Sequence, residues 1–172
     1  FWLGREYYYY KEFDKAIAEL KRHLSLPAAK WDEERCASMR FIARCYKERG
    51  DTLNAKVWLY RAIAECPHVR EPYYQLAEIG YLEKNWPMVY AISKKAIETT
   101  VNTGSYLNET ECWGYYLYDL AAISAYYMGL YHDSYRFAKL ALEKSPDNPR
   151  LKSNLELIEK KLGKEEIHEE KA

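Results

Sequence analysis

Residues 42–67 read IARCYKERGDTLNAKVWLYRAIAECP, and the order of small, aromatic and turn residues in this stretch decides the fold. Its Ile42-Ala43, Tyr46, Gly50, Ala55, Leu59, Ala62 and Pro67 recur upstream as Leu3-Gly4, Tyr7, Lys11, Ala16, Leu20, His23 and Pro27. The small-residue step, the Tyr and the Ala keep their offsets, and the final Pro falls within one residue. A third copy shows Tyr73, Leu76-Ala77, Trp86, Val89 and Ala96. A fourth shows Ala122, Gly129, Tyr131, Ser134, Ala138, Ala141 and Pro146.

The spacing predicts two antiparallel helices, A and B, in each copy. Gly4, Ala43, Ala77 and Ala122 let the backbones approach from helix A. Ala16, Ala55, Val89 and Ser134 do so from helix B. Phe13, Trp86 and Tyr131 wedge the start of helix B, and Pro67 and Pro146 stop it, lacking an N–H and restricting the residue before them. One hairpin cannot bury its apolar face alone, so neighbours must stack. The predicted helices span 1–10, 12–25, 31–49, 52–65, 71–84, 87–100, 110–128 and 132–144. Leu151, Leu155, Ile158 and Leu162 form one apolar stripe of a further helix that covers the last unit and presents a polar outside. The pattern resembles the tetratricopeptide repeat. The expected fold is all-α, a right-handed superhelical solenoid of about four helix-turn-helix repeats (1–30, 36–69, 70–103 and 115–147). A capping helix at 148–163, stopped by Gly163, and a frayed polar tail at 164–172 complete it. Two insertions break the period, near 27–31 and 103–113; the second reads as a surface loop plus a lengthened helix.

Composition agrees with this reading. A chain of 172 residues suits one domain. Its 26 Lys+Arg balance 26 Asp+Glu, which argues against nucleic-acid or membrane-surface binding through bulk charge. Only 7 Gly and 6 Pro favour a few long helices over many short strands, while 18 Tyr stand out. There is no apolar run of about 18 residues to span a bilayer. The chain opens Phe1-Trp2-Leu3-Gly4 without initiator Met or signal peptide, which reads as a piece of a longer protein whose first helix lacks a cover. Self-association through that helix is one expectation. Cys36, Cys45, Cys66 and Cys112 form no Cys-x-x-Cys pair, so reduced buried thiols, no metal site and a cytoplasmic compartment are expected.

Catalysis finds no support. His23, His68, His132 and His168 fall at unrelated places, and neither a glycine-rich phosphate loop nor a His-Glu-x-x-His occurs. No catalytic residue and no cofactor is expected. Binding is expected instead on the concave surface lined by the A helices. Arg40, Arg44 and Lys47 lie on one stripe of the second unit, with Arg5, Tyr8 and Tyr9 in the first. Glu71, Tyr74, Glu78 and Tyr81 follow in the third, and Tyr116, Asp119, Tyr126 and Tyr127 in the fourth. The groove is thus basic at its N-terminal end, acidic further on and lined with Tyr, which suits peptide or sugar recognition. Like charges at i, i+4 oppose each other, so the Arg40/Arg44/Lys47 stripe calls for an anion: an acidic peptide or an acidic segment of the parent chain.

A narrower resemblance rests on Leu3-Gly4-Arg5-Glu6-Tyr7-Tyr8-Tyr9, Leu24-Ser25-Leu26-Pro27, Trp31 with Glu34, Arg44-Cys45-Tyr46, Arg70-Glu71-Pro72-Tyr73 and Trp86. This combination is similar to the tetratricopeptide region that follows the catalytic domain of bacterial and phage family-2 glycosyltransferases. The resemblance implies a parent enzyme with a nucleotide-sugar donor and a metal-binding Asp-x-Asp, a motif these residues do not contain. The chain itself would be a non-catalytic module contacting acceptor, parent domain or partner; the alternative is a free-standing adaptor for an acidic peptide. Peptide-clamping members of the superfamily hold a terminal carboxylate with Lys and Asn; here Arg5, Arg40 and Arg44 lie at comparable places and the Asn is missing.

Overall fold

The computed structural model describes the backbone of residues 1–169 and the side-chain surroundings of residues 1–163. Its helices are α1 Trp2–Tyr9, α2 Phe13–Ser25, α3 Asp32–Glu48, α4 Thr52–Glu65, α5 Glu71–Leu82, α6 Trp86–Thr99, α7 Tyr116–Tyr127, α8 Tyr131–Lys144 and α9 Pro149–Glu169. A short 3-10 turn, Thr110–Trp113, precedes α7. No strand occurs among the described residues. Each helix packs on the next, and α1 also touches α3, α3 touches α5 and α5 touches α7. The A helices therefore share one inner surface. The fold is an all-α solenoid of four helix-turn-helix hairpins, with α9 packed on α8 as the cap.

The turn inside each hairpin is built the same way four times. Lys11, Gly50, Lys84 and Gly129 take positive φ, at 59°, 77°, 54° and 75°. The next residue donates its N–H to the carbonyl five back: Glu12 to Tyr7, Asp51 to Tyr46, Asn85 to Gly80 and Leu130 to Ala125, each at 2.9 Å. This left-handed cap satisfies carbonyls that the helix end would leave unpaired. Glycine adopts it without a Cβ clash, whereas each lysine costs about 1 kcal/mol. Asp51 and Asn85 then cap α4 and α6 by accepting from Asn54 N and Met88 N.

Small residues set the helix spacing. A Cβ added to Gly4 would lie 2.6 Å from Leu20 Cγ, inside a contact no side chain tolerates. Ala16, Ala55, Val89 and Ser134 are all fully buried on the B helices. Ser134 also donates its hydroxyl to the Ala122 carbonyl at 2.8 Å, so the fourth copy replaces a methyl contact with a hydrogen bond. Leu20, Ile42, Leu59, Leu76, Leu120 and Phe137 fill the space between hairpins.

Two expectations are corrected here. The predicted helix from residue 110 does not form: Gly114 is extended at φ −80° and ψ −153°, and α7 begins at Tyr116. The segment before it is a surface loop only in part: Asn102, Thr103, Gly104 and Tyr106 are exposed, whereas Leu107 and Cys112 are buried. The cap also runs on through Gly163 to Glu169, since Gly163 keeps a negative φ; a helical glycine there costs about 1 kcal/mol relative to alanine. Of the predicted frayed tail, residues 164–169 belong to α9, and 170–172 lie outside the described residues.

His23, on α2, is buried between Ser38 Oγ (2.8 Å from Nδ1) and Glu34 Oε2 (3.2 Å from Nε2). Burial lowers its pKa, while Glu34 pulls the other way. Below about pH 6.5 the unfolded chain takes up this proton before the folded one does. Stability from this site is therefore present above that pH and is lost as pH falls. Urea unfolding from pH 7 to 5 should show a declining free energy, and His23→Gln should flatten that slope; an unchanged slope rejects the assignment.

Candidate functional site

The inner surface divides into two halves of opposite character. In the N-terminal half, residues 102–113 turn inward and lie across α3 and α5. Glu109 is held by three contacts: from Arg44 Nη2 to both carboxylate oxygens (2.6 and 2.5 Å), and from Arg40 Nη1 at 3.0 Å. Arg40 Nη2 also donates to the Leu107 carbonyl at 3.2 Å. Glu71, itself buried at the start of α5, accepts from Asn108 Nδ2 (3.1 Å), Glu109 N (3.0 Å) and Trp113 Nε1 (3.3 Å). Aromatic contacts fasten the outer end, where Tyr106 stacks on Trp2 at 5.4 Å and meets Trp31 edge-on. Arg70 lies over the Trp113 ring at 4.1 Å and bonds Thr100 Oγ1.

This arrangement corrects the expected groove charges. Arg40 is only 3% exposed, so it cannot reach an outside ligand. The anion that the basic stripe calls for is Glu109 of this same chain. Lys47 is paired with Glu78 at 2.5 Å across α3 and α5. Asp119, expected as part of an acidic wall, is buried and accepts from Arg150 (2.7 Å) and Asn154 (3.4 Å), tying α7 to the cap. A buried ion needs such partners, which is the physical reason these charges turn inward. What remains open beside Glu109 is a polar cavity of about 240 Å³, with Tyr8, Arg44, Lys47, Tyr74 and Glu78 in its wall.

The remaining predicted residues separate along the chain. Arg5 lies over the Trp2 ring at 4.3 Å, and Tyr8 packs edge-on against Phe41. Tyr9 is exposed, and Tyr116 is half-buried against Tyr74 at 5.2 Å. Tyr81, Tyr126 and Tyr127 come together in the C-terminal half. There a groove of about 860 Å³ runs between α5, α7 and α9, walled also by Leu82, Trp86, Ile123 and Leu157. Trp86 stacks face to face on Tyr127 with centroids 4.4 Å apart, and Tyr81 meets it edge-on. The predicted wedge residue is thus part of the groove wall. Tyr127 is 62% exposed and Leu157 54%, so the wall offers apolar area to a visitor. Lys84 and Arg150 also line the groove. Sequence reasoning missed Leu157 because it lies off the stripe that packs the cap onto α8, and missed Trp86 because its family position suggested core.

All four cysteines are free and buried, and burial pushes Cys36 and Cys45 up to about 12, which keeps them as unreactive thiols. No helix among the described residues is long and apolar enough to cross a membrane.

Comparison with known proteins adds the fold. No family description and no curated protein matches the sequence. Among solved structures, MamA AMB-1 aligns over 95% of this chain and 80% of its own, at TM-score 0.67 and 13% identity. A second MamA crystal structure covers 93% and 84% at TM-score 0.68 and 16% identity. MamA MSR-1 covers 93% and 83% at 0.63 and 14%. Likeness at these identities is one of all-helical, tetratricopeptide-like fold.

Proposed function

We propose that this chain is a non-catalytic protein-interaction scaffold that receives a partner segment in the C-terminal half of its inner groove. One observation carries the reading: the N-terminal half is already filled by residues 102–113, while the C-terminal half stands open with an aromatic wall. Tyr81, Trp86, Tyr126 and Tyr127 supply large, rigid contact area at little rotamer cost, the composition of binding hot spots. The matching occupant is a short peptide segment with apolar or aromatic anchors. The acidic-peptide alternative draws on Arg40, Arg44 and Lys47, whose charges Glu109 and Glu78 already meet. The implied link to a sugar-transferring enzyme rests on the motif residues quoted above, and it would make the occupant a piece of that enzyme or its acceptor.

Peptides selected by display against the whole chain test this directly. Trp86→Ala and Tyr127→Ala should each weaken the selected binders by about 30-fold, the equivalent of 2 kcal/mol. Tyr9→Ala, exposed at the far end, should leave them unchanged. Binders indifferent to both groove substitutions would falsify the proposal.

A further inference from the structure

A three-residue cluster lies away from the groove, where the start of α3 meets the end of α4. Asp32, Cys66 and His68 each present one ligand atom there, all within 4.8 Å of one another. Cys66 Sγ is 3.6 Å from Asp32 Oδ2, 3.6 Å from His68 Nε2 and 3.7 Å from His68 Nδ1. Tetrahedral zinc with its usual bond lengths places sulfur about 3.5–3.6 Å from a neighbouring nitrogen or oxygen ligand. The two separations from sulfur match edges of that tetrahedron, and the third, between the Asp32 carboxylate and the His68 ring, lies within 4.8 Å and shortens when an ion draws the two ligands in.

The backbone that carries these side chains is held on both sides. Pro67 follows Cys66 and bars it from the helical region, leaving it at φ −141° and ψ 78°. The Pro67 carbonyl accepts from Tyr73 Oη and the His68 carbonyl from Val101 N, both at 2.9 Å. Asp32 uses Oδ1 to accept from Glu33 N at 2.9 Å, which leaves Oδ2 turned toward the sulfur. Outer bonds of this kind orient ligands before an ion arrives. The adverse field of the α3 N-terminus is offset by the three acidic residues of its first turn, Asp32, Glu33 and Glu34.

We infer that Asp32, Cys66 and His68 bind one zinc-type divalent cation that clips the ends of the second hairpin together. One sulfur, one imidazole nitrogen and one carboxylate oxygen suit zinc rather than magnesium or calcium, which take oxygen ligands alone. Three protein ligands leave the fourth tetrahedral position for water. Binding displaces the Cys66 thiol proton to solvent, so affinity falls in acid.

The test uses the whole chain, stripped of metal by chelation, with Zn2+, Co2+ and Mg2+ as probes. One Zn2+ per chain should survive dialysis, and Co2+ should produce a thiolate-to-metal charge-transfer absorption. The unfolding midpoint should rise with free Zn2+ and ignore Mg2+. Cys66→Ser should abolish the cobalt band, and His68→Gln and Asp32→Asn should each weaken Zn2+ binding by tenfold or more. Should Cys66→Ser fail to fold, His68→Gln decides, because the side chain of His68 is half-buried and contacts only Cys66 Sγ by hydrogen bonding. Absence of both zinc retention and the cobalt band overturns the inference. So does zinc binding that survives His68→Gln and Asp32→Asn undiminished, since the ion then sits elsewhere.

Discussion

Glu109→Ala should lower the stability of the chain by about 3 kcal/mol, the lower end of the cost of breaking a buried ion pair. The side chain of Arg40 is 4% exposed and that of Glu109 23%, so removing the carboxylate strands one arginine in the interior while water still reaches the other partner. At about 2–4 °C per kcal/mol for a chain of this size, the melting midpoint should fall by roughly 6–12 °C. The expected cause is the pairing itself, which a double-mutant cycle isolates. Arg40→Met and Glu109→Gln should couple by more than about 1 kcal/mol, whereas independent sites add within about 0.5 kcal/mol. Additive losses would show that the pairing of Arg40 with Glu109 does not hold the segment. Arg44 shares the same carboxylate at 2.5 Å, so Arg44→Met should be milder, as that arginine retains access to solvent.

The second large effect belongs to Glu71. Its Oε1 collects three donors from the segment, and bonds to a charged acceptor contribute about 1.5–3 kcal/mol each, with less than full additivity in one network. Glu71→Ala should cost about 3–5 kcal/mol and should loosen residues 102–113 before the rest of the solenoid. Two local readouts follow. Amide exchange at Glu109 should accelerate ahead of exchange in α3 and α5. Cys112, now buried with its thiol raised by that burial, should become reactive to a thiol reagent under native conditions. Glu71→Gln keeps an acceptor oxygen and should fall between the two. A Glu71→Ala chain whose Cys112 stays as protected as before would mean that the Glu109 ion pairs and the buried Leu107 anchor the segment without it.

Much of the architecture was legible in the chain because its determinants are local. The Ala16, Ala55, Val89 and Ser134 series and the Tyr–turn spacing each sit within one hairpin, where chain geometry alone forces the contact. The second and fourth copies carry the pattern most plainly for a physical reason: Gly50 and Gly129 mark the left-handed turn openly, whereas Lys11 and Lys84 occupy it in the first and third. The C-terminal groove was legible in part, through Tyr81, Tyr126 and Tyr127. Trp86 joined them only because α6 starts close enough for its ring to reach Tyr127. The opposed charges of Arg40 and Arg44 did signal a missing anion. Glu109 and Glu111, in the one long irregular stretch, were the place to look for it.

By itself, the sequence determined that the chain is a stack of helical hairpins, with the positions of their small residues, turns and cap. Those choices depend on neighbours a few residues apart, where spacing alone decides which side chains meet. Tertiary structure decided which charges are free. Arg40 and Glu109 are 69 residues apart, and Asp32 and Cys66 are 34 apart. No local rule pairs such residues. They meet because stacking brings distant segments together and buries their charged or polar groups, and burial then demands a partner for each. The same stacking closed one half of the groove and left the other half open.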